Sequence, residues 1–522
     1  MTCERDIPQD SLPPVRTCCP CPHHAQEQAS GINRRDFLGG AGMLGGAVLS
    51  GLTWSALAAE TPQQPTAPPR KPLVVKPVLG YDIPTRQFQR SWRNWGGIQT
   101  RPEAEAEAAH IRGELDKLQA AADFPLTILP VSMGRNVEEL AAAKDEITSA
   151  DLVIYYAAGG RTLDFVAQNA KDVIFFCRHK SGPVYLWYEI ISPRYLRQHS
   201  DTLKTKGHDD RDVVIDSQDE LLWRLRALCG LKNTLGSRII AVGGPSGWAT
   251  PNAPKLARDV WKLDIQTVSY KDLGELIQAA RADRAAVDDA RHRADAYLKI
   301  PGTSLETERK FVENAFLLEA IFRRLMQKAD CRMLTINGCM CTIIPLAETT
   351  ACMPISTLND AGYMIFCESD FVAIPAGTLL SNIAGRPFFM NDPTYPHDGI
   401  ITLAHCTGAR RMDGKTLEPA RILTHFESDY GAAPKVALRK GQTVTNVVGD
   451  FAAQRWVGVR GVVADVPFLP ICRNQVDIRF QCDSLRLAER MPGFHWMTCY
   501  GDYSRELGYA LKRTPIQWEF LG

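Results

Sequence analysis

Residues 238–248 read RIIAVGGPSGW, an apolar run from Arg238 to Val242 that empties into the glycine-rich turn Gly243–Trp248. Residues 253–263, APKLARDVWKL, then read as helix, and Ile265–Tyr270, IQTVSY, as strand. Strand, turn, helix and strand in that order predict a parallel sheet with helices packed on its faces. The turn is not GxGxxG, and no acidic residue follows at a ribose-binding distance. It reads as a tight turn or a sugar-facing loop at the carboxyl end of a strand, where open α/β sheets bind their ligands. Trp248 is the candidate substrate-contacting side chain.

The same rhythm runs upstream. Pro72–Gly80 and Phe124–Ser132 read as strands flanking an Ala/Glu-rich helix, RPEAEAEAAHIRGELDKLQAAAD. Val137–Ser149 reads as helix, and Asp151–Tyr156, Asp172–Cys177 and Val184–Ile191 as further strands, before the helix SQDELLWRLRALCGL. Downstream, residues 279–329 are helical. The segment ERKFVENAFLLEAIFRRLMQKA carries an amphipathic stripe at 311, 315, 318, 321, 322 and 325. Residues 331–400 are rich in Cys, Gly, Pro and short strands. Residues 420–482 alternate as β structure, as in RILTHFESD and WVGVRGVVADVPF, which predicts an antiparallel sheet or small barrel. The expected organisation is two Rossmann-like parallel α/β domains at 73–230 and 231–400, followed by a β-rich, barrel-like domain at 401–522.

The first 72 residues read differently. Arg34-Arg35 precedes a weakly apolar, Gly-rich run that ends in Ala56-Leu57-Ala58, small residues suited to a signal peptidase. This resembles a twin-arginine export signal over 1–58, joined by a Pro-rich linker at 59–72, and implies a folded protein released to the periplasm or outside the cell. The cluster Cys18, Cys19, Cys21, His23 and His24 falls in that leader. Net charge is +1 over 522 residues, which gives no pointer to nucleic acid or to acidic membranes. Beyond the leader lie eleven cysteines with no framework spacing, most of them read as buried thiols.

Four features of the last third suggest chemistry. Tyr363–Asp370, YMIFCESD, runs an apolar strand into Glu368 and Asp370. On an extended strand these two would share a face and reach one ligand; alone, Ser369 or Asp370 reads first as the cap of the helix that follows. His405 ends an apolar strand in LAHCTGARR. His425 lies in ILTHFES, where its exposure depends on register. His495 precedes the closing strand in GFHWMTCYGD. Carboxylates with imidazoles suit a hard or borderline divalent ion, whereas nearby thiols favour softer ones.

Together STLNDAGYMIFCESD, LLSNIAGRPFFMNDP, LAHCTGARR, EPARILTHFES and FHWMTCYGDYSRELGYAL resemble the C-terminal part of the L-fucose isomerase and L-arabinose isomerase superfamily. The resemblance implies an aldose–ketose isomerase, an intramolecular oxidoreductase working through a cis-enediol with Mn²⁺ as cofactor. It also implies a sugar as substrate and a homo-oligomer, trimeric or hexameric. Carried over by motif, Asp370, His495 and His405 become metal ligands. The fucose enzymes place a further ligand-and-base glutamate shortly before the LND turn. Here ETTACMPISTLND puts Cys352 or a neighbour there, so Glu368 or Glu348 is left as the acid/base group, with Asp370 beside them. An exported, non-catalytic sugar-binding protein on the same scaffold is the alternative, and a metal-dependent epimerase or lyase another.

Overall fold

A computed structural model describes residues 52–58, 67–92, 97–159, 161–185 and 210–522. The arginine pair, the Cys18–His24 cluster, most of the linker and residues 186–191 of the expected strand at 184–191 lie outside these residues. Trp54–Ala58, the end of the expected leader, is a short helix. The Trp54 indole is buried and donates to Asp283 Oδ2 at 2.8 Å.

Strands β1 (Leu73–Tyr81), β2 (Leu126–Ile128), β3 (Ser132–Gly134), β4 (Leu152–Ala158), β5 (Val173–Cys177) and β6 (Val213–Ile215) form a parallel sheet. Its order is β2-β1-β4-β5-β6, with β3 also paired to β1. β1 and β4 are apolar on both faces and both faces are covered, as parallel sheets require. The strand expected over 124–132 is split into β2 and β3 around Pro130, which has no N–H to give the ladder. The Ala/Glu-rich helix is Arg101–Ala121. It starts at a capping box in which Thr100 accepts from the Glu103 N–H and Glu103 returns the bond.

A second parallel sheet follows the helix Gln218–Thr234. It uses β7 (Arg238–Val242), β8 (Asp264–Val268), β10 (Met333–Ile336) and β11 (Met364–Phe366), ordered β11-β10-β7-β8, while β9 (Thr303–Leu305) stands apart. Residues 331–400 hold more helix than their composition suggests. Cys352–Asp360 is helical with Pro354 in its first turns, and Ile374–Ala384 is a fully buried helix ended by Gly385 at φ +65°.

The remaining strands are β12 (Phe389–Pro393), β13 (Ile400–His405), β14 (Ala420–Leu423), β15 (Ala433–Val436), β16 (Thr443–Gly449), β17 (Arg455–Asp465), β18 (Asn474–Phe480), β19 (Trp496–Tyr500) and β20 (Gln517–Phe520). An antiparallel barrel closes in the order β16-β19-β12-β13-β18-β17, with β17 returning to β16 and β20 added in parallel to β17. The barrel therefore begins at β12, ahead of residue 400. β14 is not part of it. β14 pairs with β15 and with β9 in a small side sheet, and His425 lies past its end rather than within an alternating strand.

The three layers share one core. Trp261, ending a helix of the second sheet, stacks on Trp456 of β17 with centroids 4.9 Å apart and planes at 17°. The closing helix Ser504–Leu511 leads back to the first sheet, where Tyr509 donates to Asp212 at 2.9 Å and Arg513 pairs with Asp212 at 3.2 Å. Both tryptophans are almost fully buried. Trp456→Ala is expected to cost about 3–5 kcal/mol in urea unfolding; a loss under about 1 kcal/mol would show that the stack does not join barrel to sheet.

Candidate metal centre

The carboxyl ends of β7, β10 and β11 face one end of the barrel. The loop after β7 is zipped to the segment after β11: Ser246 N–H donates to Ser369 O at 3.2 Å, and Phe371 N–H to Ser246 O at 3.1 Å. β11 stops at Phe366, and Glu368 and Ser369 both take left-handed backbone, φ +59° and +46°. The extended geometry expected for 368–370 is thus absent. Two adjacent non-glycine residues in this region cost roughly 1–3 kcal/mol each, and such strain gathers at functional sites. Its effect is to send the Glu368 and Asp370 side chains to opposite sides of one imidazole.

That imidazole is His495, just ahead of β19. The register that pairs Asn391 of β12 with Trp496 of β19 sets His495 across from Asp392. His495 Nδ1 lies 2.7 Å from Asp370 Oδ2, and both side chains are fully buried. The other Asp370 oxygen accepts from Val372 N–H at 3.0 Å. His495 Nε2 stands 3.3 Å from Asp392 Oδ1 and 3.4 Å from Glu368 Oε2. Nε2 and Asp392 Oδ1 are both buried with no hydrogen-bond partner. The ring of His405, at the end of β13, is 6.1 Å from that of His495, and its Nε2 is 3.8 Å from Glu368 Oε1.

Two donor groups result, with ligand atoms all within 4.8 Å of one another: Asp392, His405 and His495, and Cys367, Glu368 and His405. Donors about 2.0–2.2 Å from a common ion stand roughly 3.0–3.4 Å apart at neighbouring positions. The two spacings measured from His495 Nε2, 3.3 Å to Asp392 Oδ1 and 3.4 Å to Glu368 Oε2, fall in that range, and Nε2 and Asp392 Oδ1 are both without a hydrogen-bond partner. Asp370 stands behind His495 on its other nitrogen. This is the carboxylate–histidine support that fixes a ligand's tautomer and ring angle.

The electrostatics point the same way. Burial acts to lower His495, yet the carboxylates of Asp370 and Glu368, with Asp392 beyond, push it up to about 10. Burial acts to raise Glu368, and the contact with and charge of His495, helped by His405 and His425, hold it down at about 2. Asp392 is raised, chiefly by burial and with the Glu368 charge adding to it. Three carboxylates crowd one imidazole, and a positive charge is what relieves them.

Behind His405 lies a pocket of thiols. Cys352 and Cys406 are buried together against Ala433, with Cys472 and Phe426 at their side. Cys406 Sγ accepts from Arg473 N–H at 3.5 Å. Hydrogen bonds from Cys352 and Cys472 hold the Cys406 thiol well below its usual range against burial, with His425 adding to them. His425 acts on the thiols by a hydrogen bond and on Glu368 only by its charge. Cys352, at the place of the glutamate implied by resemblance, offers no oxygen.

Of the residues singled out in the sequence, Glu368, Asp370, His405 and His495 meet at one place. Glu348 does not. It caps a short helix at φ +50°, is exposed, and pairs with Arg281 at 3.0 Å. Trp248 does belong here: it stacks on Phe494 with centroids 4.0 Å apart and meets His495 edge-on at 6.3 Å. Asp392 was missed, although FFMND repeats the shape of YMIFCESD, an apolar run ending in a carboxylate.

Asp370→Ala is expected to weaken divalent-metal binding by about 10–100-fold, read by calorimetric titration of a variant that still melts cooperatively. Unchanged affinity would remove Asp370 from the support of the centre. No protein-family model matches the chain, and no curated protein matches it.

Proposed function

We propose that the protein is a metal-dependent aldose–ketose isomerase acting through a cis-enediol. The observation that carries this reading is the placement of Asp392 Oδ1 at 3.3 Å and Glu368 Oε2 at 3.4 Å from His495 Nε2, with Asp370 fixing His495 from behind. Glu368, Asp392 and His495 would hold the ion, and the preponderance of oxygen donors favours Mn²⁺ or a similar divalent ion. Such an ion supplies Lewis-acid polarisation of a sugar carbonyl and the neighbouring hydroxyl.

The protein's own groups do the rest. Glu368 is the most open of the three carboxylates, its side chain 42 % exposed. Its Oε1 is turned away from His495, so it can take a proton from C2 of a bound sugar and return it at C1. Asp370 and the β12–β19 register keep His495 from turning. Trp248 and Phe494 form an apolar wall at the rim, a surface suited to the C–H face of a sugar ring. The resemblance of the C-terminal motifs to the fucose and arabinose isomerases supports the same reaction class, and export in folded form remains part of the proposal.

Saturating Mn²⁺ at about 100 times its Kd should stabilise the fold by roughly 2.7 kcal/mol, seen as a rise in Tm that chelation reverses. Incubation with a panel of aldoses in deuterated water should give deuterium at C2 and a ketose product, and Glu368→Gln should abolish both. Exchange without ketose would indicate an epimerase or lyase. Metal binding with a sugar-induced Tm rise but no exchange would indicate a sugar-binding protein.

A further inference from the structure

The two imidazoles of the centre are held by opposite hydrogen bonds. His495 Nδ1 faces Asp370 Oδ2 at 2.7 Å, and an ionised carboxylate only accepts, so Nδ1 keeps a proton and Nε2 is the nitrogen that can offer a lone pair once a metal ion displaces its proton. His405 is the reverse. Its Nδ1 lies 2.9 Å from the backbone nitrogen of Cys406, which donates its N–H to it. The Thr407 hydroxyl, 3.0 Å from the same Nδ1, can rotate to donate as well. A backbone amide always carries its proton. His405 Nδ1 therefore keeps its lone pair, and the proton of the neutral ring is on Nε2, the nitrogen that faces Glu368.

A nitrogen that bears a proton does not ligate a metal ion. The 3.8 Å between His405 Nε2 and Glu368 Oε1 is also longer than a hydrogen bond, so this N–H is not consumed by the carboxylate. It is directed into the space next to the oxygen that the proposed reaction uses as base.

We propose that His405 is not a metal ligand but a substrate-contacting donor, its Nε2–H giving a hydrogen bond to a sugar oxygen at the reacting carbons while Glu368, Asp392 and His495 hold the ion. This rests on the reading of the centre as a metal-dependent sugar site. The ligand sphere then has three protein residues and open positions, the pattern of catalytic rather than structural metal sites. The donor stabilises charge on the sugar oxygen as the proton leaves carbon. The adjoining backbone of Cys406 and Thr407 sets the tautomer, so the thiol-lined loop after β13 positions the donor.

The test uses the full chain with ¹⁵N-labelled histidine, with the His405 and His495 signals assigned by difference from His405→Gln and His495→Gln. In metal-free protein His405 should carry its proton on Nε2, and His495 should be protonated on Nδ1 whether or not Nε2 is protonated too; a proton on His405 Nδ1 overturns the inference at once, whatever the metal does. On loading with Zn²⁺, a diamagnetic probe, His495 Nε2 should shift as a coordinated nitrogen while His405 keeps its Nε2–H. Mn²⁺ affinity should fall by about 10–100-fold in His495→Gln and stay within about threefold in His405→Gln. A switch of His405 to the Nδ1–H tautomer on loading, or an equal loss of Mn²⁺ affinity in both variants, would make it a ligand after all. Failure of wild-type protein to bind either ion would instead overturn the metal centre, and with it the donor role.

Discussion

The buried pair of His495 and Asp370 is the contact on which the site and the junction of the domains both turn. Asp370 belongs to the end of the second parallel sheet, His495 to the barrel, and their 2.7 Å contact has no solvent on either side. Breaking such a pair by removing one partner leaves an uncompensated charge in the interior, at a cost of about 3–5 kcal/mol. The surrounding carboxylates sharpen this. Glu368 and Asp392 stand on the far side of the ring, so the fold holds more negative charge at this point than one imidazole can balance. A purely structural pair would not need that excess.

The class of fold was readable because its cause is local. β1, β4, β7 and β10 are apolar on both faces, and helices with ordinary caps separate them, so a parallel sheet follows from the order of segments. The barrel was readable as β alternation but not in its pairing. β12 was hidden because FFMNDP is short and ends in proline, and its place between β13 and β19 comes from closure over more than a hundred residues. The same non-local register puts Asp392 opposite His495. No local pattern therefore marks Asp392, whereas Glu348 stands close to the LND turn in the sequence.

Backbone conformation hid other parts of the site. Glu368 and Ser369 adopt positive φ without glycine, and no residue type announces that. An extended reading of ESD gives both carboxylates one target on one side. The actual turn gives them one target from two sides, with Asp370 on the Nδ1 side of His495 and Glu368 on the Nε2 side. Most of the thiols were expected to be buried; all eleven among the described residues are free, seven of them buried, with Cys339, Cys472 and Cys482 half-buried and Cys341 exposed. Their clustering around Cys406 depended on where β13 ends and on the helix Cys352–Asp360.

β19 has a consequence for the life of the chain. It pairs with both β12 and β16, so the barrel stays open until residues 496–500 are in place, and His495 enters beside them. A polypeptide stalled or clipped before that point has neither a closed barrel nor its central imidazole. Closure of the barrel and the arrival of His495 beside Asp370 and Asp392 are therefore one event. The imidazole and the carboxylates that surround it come together only when β19 is laid between β12 and β16.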